Sequence, residues 1–169
     1  MKTAKLIIDG KEIEVKITQE QLDKLYPKKK TGYERAKFGE YYWRINDTGL
    51  PSNSITEGNG YYDTDLYKSA NYYSDKTIAE NNARADKLMR QLRRFAVEHR
   101  EKELDWNDKY QTKYNISYDR KTGTFILGAS YCNRTIGTVY FDKAPIAWDA
   151  INIFKDELLW YFTEYKDSL

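Results

Sequence analysis

The stretch from Ser74 to Lys102, SDKTIAENNARADKLMRQLRRFAVEHREK, carries the longest unbroken helical pattern in the chain and constrains what everything else can pack against. Ile78, Ala85, Leu88, Met89, Leu92, Phe95 and Ala96 recur at three- and four-residue steps, which sets them on one face of an α-helix. Thr77 with Glu80 reads as a capping box, and Ser74 is a second candidate cap. The other face is basic: Arg84, Lys87, Arg90 and Arg94. Part of that charge has a helical partner, because Glu80–Arg84, Asp86–Arg90 and Arg94–Glu98 are opposite charges four residues apart. Lys87, Arg93 and Arg100 have no such partner and are the cations left for an outside contact.

The remaining segments are short and β-patterned, with helices at intervals. Residues 4–17 read as two strands around Asp9-Gly10, a pair suited to a type I′ turn because both central residues need positive φ. Thr18-x-x-Gln21 caps a brief helix that Pro27 stops, and Lys28–Lys30 belong to a linker. EYYWRIN from Glu40 reads as a strand and NDTG as its turn. A Gly-, Ser- and Asn-rich loop follows, with one irregular strand expected near Gly60–Tyr62. Beyond the long helix, 114–119, 125–131 and 138–142 read as three antiparallel strands. A terminal helix from about Asp142 to Tyr165 would take Asp142 as its cap.

Two halves of the chain rhyme. Tyr72-Tyr73-Ser74 matches Tyr140-Phe141-Asp142 and Ile78-Ala79 matches Ile146-Ala147, each pair 68 positions apart. The pattern predicts an α+β fold with two βββα-like units behind an N-terminal hairpin and short helix. Its boundaries would be 1–32 for the hairpin, helix and linker, 33–105 for the first unit and 106–169 for the second, all in one compact domain.

Chemistry is sparse in this composition. His99 is the sole histidine and Cys132 the sole cysteine, so neither a zinc site nor a Cys–His pair is indicated. No P-loop, dinucleotide fingerprint, nucleophile elbow or HExxH spacing is present. Asp63 and Asp65 come nearest to a metal loop but lack its other ligands, and a solvated acidic loop is expected there. The reading is therefore no enzyme, no cofactor and no metal. One cysteine and the lack of any long apolar run point to a soluble, cytoplasmic protein without membrane contact.

The signal that remains is arginine and tyrosine, with 16 tyrosines in 169 residues. These side chains dominate protein hot spots and also grip phosphates and stack on bases. Candidate partner-binding residues are Lys87, Arg90, Arg93, Arg94 and Arg100 with Tyr61 and Tyr62. The terminal helix is apolar over most of its circumference, and Trp148, Ile153 and Trp160 flank its core-facing residues. These three are candidates for self-association into a homodimer.

GEYYWRIN, NYYSDKTIAENNARADKLMRQLRRF, EHREKELDWN, YNISYD and VYFDKAPIAWDAI together resemble a loose family of small proteins carried by phages and mobile elements of Gram-positive bacteria. The resemblance spans residues 39–165 and rests on fold-making positions, so it transfers no functional residue. It implies an accessory protein of the general kind that includes anti-CRISPR inhibitors of host defence. The expected function is non-enzymatic: binding a defence effector such as a CRISPR nuclease and occluding a nucleic-acid site. Two alternatives stand beside it. One is a small nucleic-acid-binding module using Lys28–Lys30 and the Arg84–Arg100 face; the other is a metal-independent nuclease.

Overall fold

A computed structural model describes residues 2–27 and 29–167. The chain divides into two compact units, Met1–Thr31 and Gly32–Leu169. The first is an antiparallel hairpin, β1 (Lys2–Ile8) and β2 (Lys11–Ile17), followed by α1 (Gln19–Leu25). Asp9 and Gly10 both take positive φ at its turn, as a type I′ connection requires. Thr18 and Gln21 close a capping box at the start of α1.

The second unit is α+β. It contains β3 (Tyr41–Tyr42), β4 (Ile55–Thr56), α2 (Tyr61–Lys68), α3 (Lys76–His99), β5 (Lys113–Asp119), β6 (Thr124–Ser130), α4 (Ala144–Ile153) and α5 (Lys155–Thr163). β3 pairs with β4 and β5 with β6, each pair antiparallel. One core joins the two rhyming halves. Leu88, Leu92, Phe95 and Ala96 of α3 meet Phe141 and the Ala147, Ala150, Ile151 and Leu158 side chains of α4 and α5. Tyr114, Ile116, Phe125 and Leu127 line that core from the β5–β6 ladder. Among the described residues no helix is long and apolar enough to cross a membrane.

The internal repeat has a backbone signature. Trp43 and Tyr73 exchange hydrogen bonds of 2.8 and 2.9 Å, and Tyr114 and Phe141 exchange two of 2.8 Å. In each half, then, the aromatic that precedes a helix is stitched back onto the first strand of its unit. The turns match as well. Asn46 Oδ1 accepts from the Thr48 amide and hydroxyl, and the Asp119 carboxylate accepts from the Lys121 amide and the Thr122 hydroxyl. A glycine at positive φ closes both turns, Gly49 and Gly123.

Several expectations are corrected. The strand expected over EYYWRIN shrinks to Tyr41–Tyr42 plus single bridges at Trp43 and Ile45, and the strand expected over 138–142 is only the Phe141 bridge. No irregular strand occurs at Gly60–Tyr62, because Gly60 starts α2 there and Asp63 accepts the Gly60 amide. The cap of α3 is Asp75, whose carboxylate takes the Ile78 amide at 3.0 Å, in place of Ser74 or Thr77.

The terminal helix is two helices broken at Phe154, whose ring meets Phe95 edge-on at 5.9 Å. Asp142 does not cap it. Its Oδ2 accepts the Glu101 and Lys102 amides just past the end of α3, and Lys143 precedes α4 without a side-chain bond.

Candidate functional site

At 100° per residue, positions 93, 97, 90, 94 and 87 follow one another around roughly 120° of α3, and Arg100, the residue that ends the helix, lies beside Arg93. Five of these six are cations, Arg93, Arg100, Arg90, Arg94 and Lys87, and they face away from the apolar arc of Leu88, Leu92, Phe95 and Ala96. The pairing expected from sequence holds only in part. Arg94 reaches Glu98 at 3.8 Å, a loose surface contact. Glu80 turns to Lys76 at 3.3 Å, which frees Arg84 to bind Glu157 of α5 through two bonds and to lie 4.0 Å over the Trp160 ring. Arg100, expected to be unpaired, contacts Glu103 at 2.9 Å. Among the described residues, Lys87, Arg90 and Arg93 make no ion pair; Asp86 does not reach Arg90.

Neighbouring elements turn this arc into grooves. On one flank Lys87, Arg90 and Arg94 share a cleft of about 530 Å³ with the Thr48–Leu50 turn and Gln91, and no carboxylate lines it. The missing side chain of Gly49 lets the Arg90 guanidinium lie against this turn, because a Cβ there would run into it. Past Lys87 and Gln91 a second cleft of about 410 Å³ continues to Lys155 at the α4–α5 junction. On the other flank Arg93 and Arg100 face Arg134 and Trp106 across a cavity of about 470 Å³. Arg134 and Trp106 were not legible as site residues, since nothing local in sequence connects them to α3.

The other expected site residues are not joined to this arc. Tyr61 and Tyr62 are exposed on α2, and among the described residues no hydrogen bond or ring contact links either to α3. Of the three residues expected on a self-association surface, Trp148 and Ile153 are exposed and Trp160 is buried. The break at Phe154 explains the difference. A straight helix would keep Ile153 and Trp160, seven residues apart, on one side; the bend turns Trp160 inward onto Arg84. Lys29 and Lys30 are exposed, whereas Lys28 lies outside the described residues. His99 stacks on Phe95 at 3.9 Å with its Nδ1 2.9 Å from the Phe95 carbonyl, and Cys132 is exposed.

The carboxylates expected in a solvated loop sit in a closed network instead. Glu57 is 0% exposed and accepts two bonds from Arg35, one from the Tyr72 hydroxyl at 2.7 Å and one from the Asn59 amide at 2.7 Å. Asp63, also buried, accepts from the Tyr42 hydroxyl at 2.7 Å and from the Gly58 and Gly60 amides. Tyr42 and Tyr72 stack between them with centroids 4.0 Å apart. Only Asp65 remains solvated. Arg35 also donates to the Thr64 hydroxyl and the Ala36 amide to the Tyr72 hydroxyl, so the network holds α2 and residues 35–42 together.

That network dictates a pH profile. The Arg35 hydrogen bond holds the Glu57 carboxyl below its ordinary range, and the Tyr42 hydroxyl does the same for Asp63. Burial pushes the Tyr73 and Tyr165 phenols up to about 12. A depressed carboxylate stabilises the fold above its unfolded pKa, near 4, and that contribution is lost as pH falls through the folded value. A raised phenol stabilises fully below about 10 and loses its contribution as pH climbs toward 12. Urea midpoints should therefore hold a plateau from roughly pH 5 to 9 and fall on both sides. A midpoint unchanged at about pH 3 would show that the buried carboxylates titrate as they do in the unfolded chain.

Against family models, curated proteins and solved structures, the chain finds no match.

Proposed function

We propose that this chain is a non-catalytic binding protein that uses the outer arc of α3 to engage the phosphate backbone of a single-stranded nucleic acid. One observation carries the reading: Lys87, Arg90 and Arg94 line a cleft that contains no carboxylate, beside a turn kept thin by Gly49. Two cations without ion-pair partners among the described residues, Lys87 and Arg90, and a third held only by a loose contact to Glu98, set on a helix over an open cleft, suit phosphates spaced along a strand. In the accessory setting implied by the sequence resemblance, such a surface would deny nucleic acid to a host defence effector.

A titration with salt tests the reading. Three phosphate contacts on a single strand give a log–log slope near −2, so affinity should fall about 20-fold between about 50 and 200 mM salt. Lys87→Glu/Arg90→Glu/Arg94→Glu should flatten that slope and remove most of the binding, while the melting temperature stays near wild type because all three side chains are exposed. A triple variant that binds as the wild type does would overturn the proposal.

A second reading, favoured by the exposed Trp148 and Ile153 on α4, has the chain bind the defence effector protein itself. Capture from a Gram-positive host lysate separates the two. An effector retained after nuclease treatment supports protein contact, and an effector lost after it supports the nucleic-acid reading.

A further inference from the structure

We propose that the cavity beside the C-terminal half of α3 is a nucleobase site, in which Trp106 and Arg134 sandwich one unstacked base of the bound strand. This rests on the reading of α3 as a phosphate-binding arc and gives that arc a base-recognition point. The cavity holds about 470 Å³ between α3, the 104–106 connection and residues 134–142. Trp106 is half-buried, and the edge of Tyr140 supports it with centroids 4.9 Å apart. The Arg134 guanidinium sits 5.8 Å from the Trp106 ring centroid and, among the described residues, has no hydrogen bond or ion pair. A base stacked on both sides needs about 7 Å, twice the van der Waals contact distance, so the exposed Arg134 has only to lift by about 1 Å.

One further feature points into the same space. Arg93 lines the cavity without an ion-pair partner and is placed for the adjoining phosphate. Asp142 lines it too, with its Oδ2 taken by the Glu101 and Lys102 amides. Guanidinium groups and an indole together match the phosphate and the ring face of one nucleotide.

The test compares a labelled oligodeoxycytidine of roughly 12 nucleotides with an abasic strand of equal length and charge, by anisotropy at low salt. The cytidine strand should bind about tenfold tighter. Trp106→Ala should erase that gap and Trp106→Phe should keep most of it, each read as the ratio of the two strands on the same variant. Arg134→Ala lies on an exposed loop away from the core and should shrink the gap about threefold, which secures the result if the tryptophan variant unfolds. Equal affinity for the two strands overturns the base site and leaves the phosphate reading standing. Failure of both strands to bind overturns both.

Discussion

Replacing Glu57 by alanine should lower the stability of the chain by about 3 kcal/mol and its melting temperature by about 10 °C. The cause is geometric. One carboxylate with no exposed surface accepts from Arg35, from the Tyr72 hydroxyl and from the Asn59 amide. Alanine leaves the Tyr72 hydroxyl and the Asn59 amide without an acceptor and Arg35 with Thr64 alone, and a buried donor with no acceptor costs about 1–3 kcal/mol. Arg35 is partly exposed and can turn to water, which keeps the total near the low end for a broken buried pair. Glu57→Gln should lie between, since it keeps the shape but turns an amide NH₂ toward donors. Asp65→Ala, on the solvent side of α2, should stay within about 0.5 kcal/mol of wild type. Thermal melts of the three variants decide the matter. A Glu57→Ala melt within about 2 °C of wild type would mean that the network is solvated and contributes little.

Trp160→Glu should unfold the chain at lower temperature and leave its oligomeric state unaltered. Trp160 is 8% exposed, with the Arg84 guanidinium 4.0 Å from its ring centroid and Tyr165 at 5.6 Å. Losing a buried tryptophan costs about 3–5 kcal/mol, and the new carboxylate is buried as well. Ile153→Glu is the proper probe of self-association. That side chain is 62% exposed, so the substitution should cost under about 0.5 kcal/mol and would split any dimer built on α4. Scanning fluorimetry and light scattering on both variants separate the cases. A Trp160→Glu chain that melts like the wild type would show that α5 does not pack as described.

What was legible in the sequence follows from how far each signal reaches. The periodicity of α3 is a local signal repeated over many turns, and its apolar face lies where the spacing puts it. Asp9-Gly10 and Thr18-x-x-Gln21 are complete within a few residues and form the turn and cap they spell out. The repeat showed through its aromatic pairs because both members are buried and the second of each, Tyr73 and Phe141, also bridges back toward a strand. The failures arise where a distant partner overrides a local preference. Asp142 looked like a helix cap until the end of α3 offered it two amides. Arg84 looked paired along its own helix until Glu157 and Trp160 came from α5. Asp63 looked solvated because the donor that buries it, the Tyr42 hydroxyl, lies 21 positions away in sequence. The basic arc was readable and its walls were not, since Gly49, Arg134 and Trp106 come from three separate connections.

The stitched repeat sets one requirement in two places. Tyr42 and Lys113 stand 71 positions apart, each just before the strand residue that bridges to the pre-helix aromatic, and both are 0% exposed. Tyr42 passes its proton toward Asp63; Lys113 passes its protons to the carbonyls of Asp108 and Tyr131 and rests 5.4 Å from the Trp106 ring. Each half thus needs an inward-pointing hydrogen donor at that position, and the occupants differ in charge. Among the described residues the Lys113 side chain has carbonyls and an indole face for partners and no carboxylate. The donor that in one half closes a carboxylate network therefore braces, in the other, the Trp106 ring that lines the cavity beside α3.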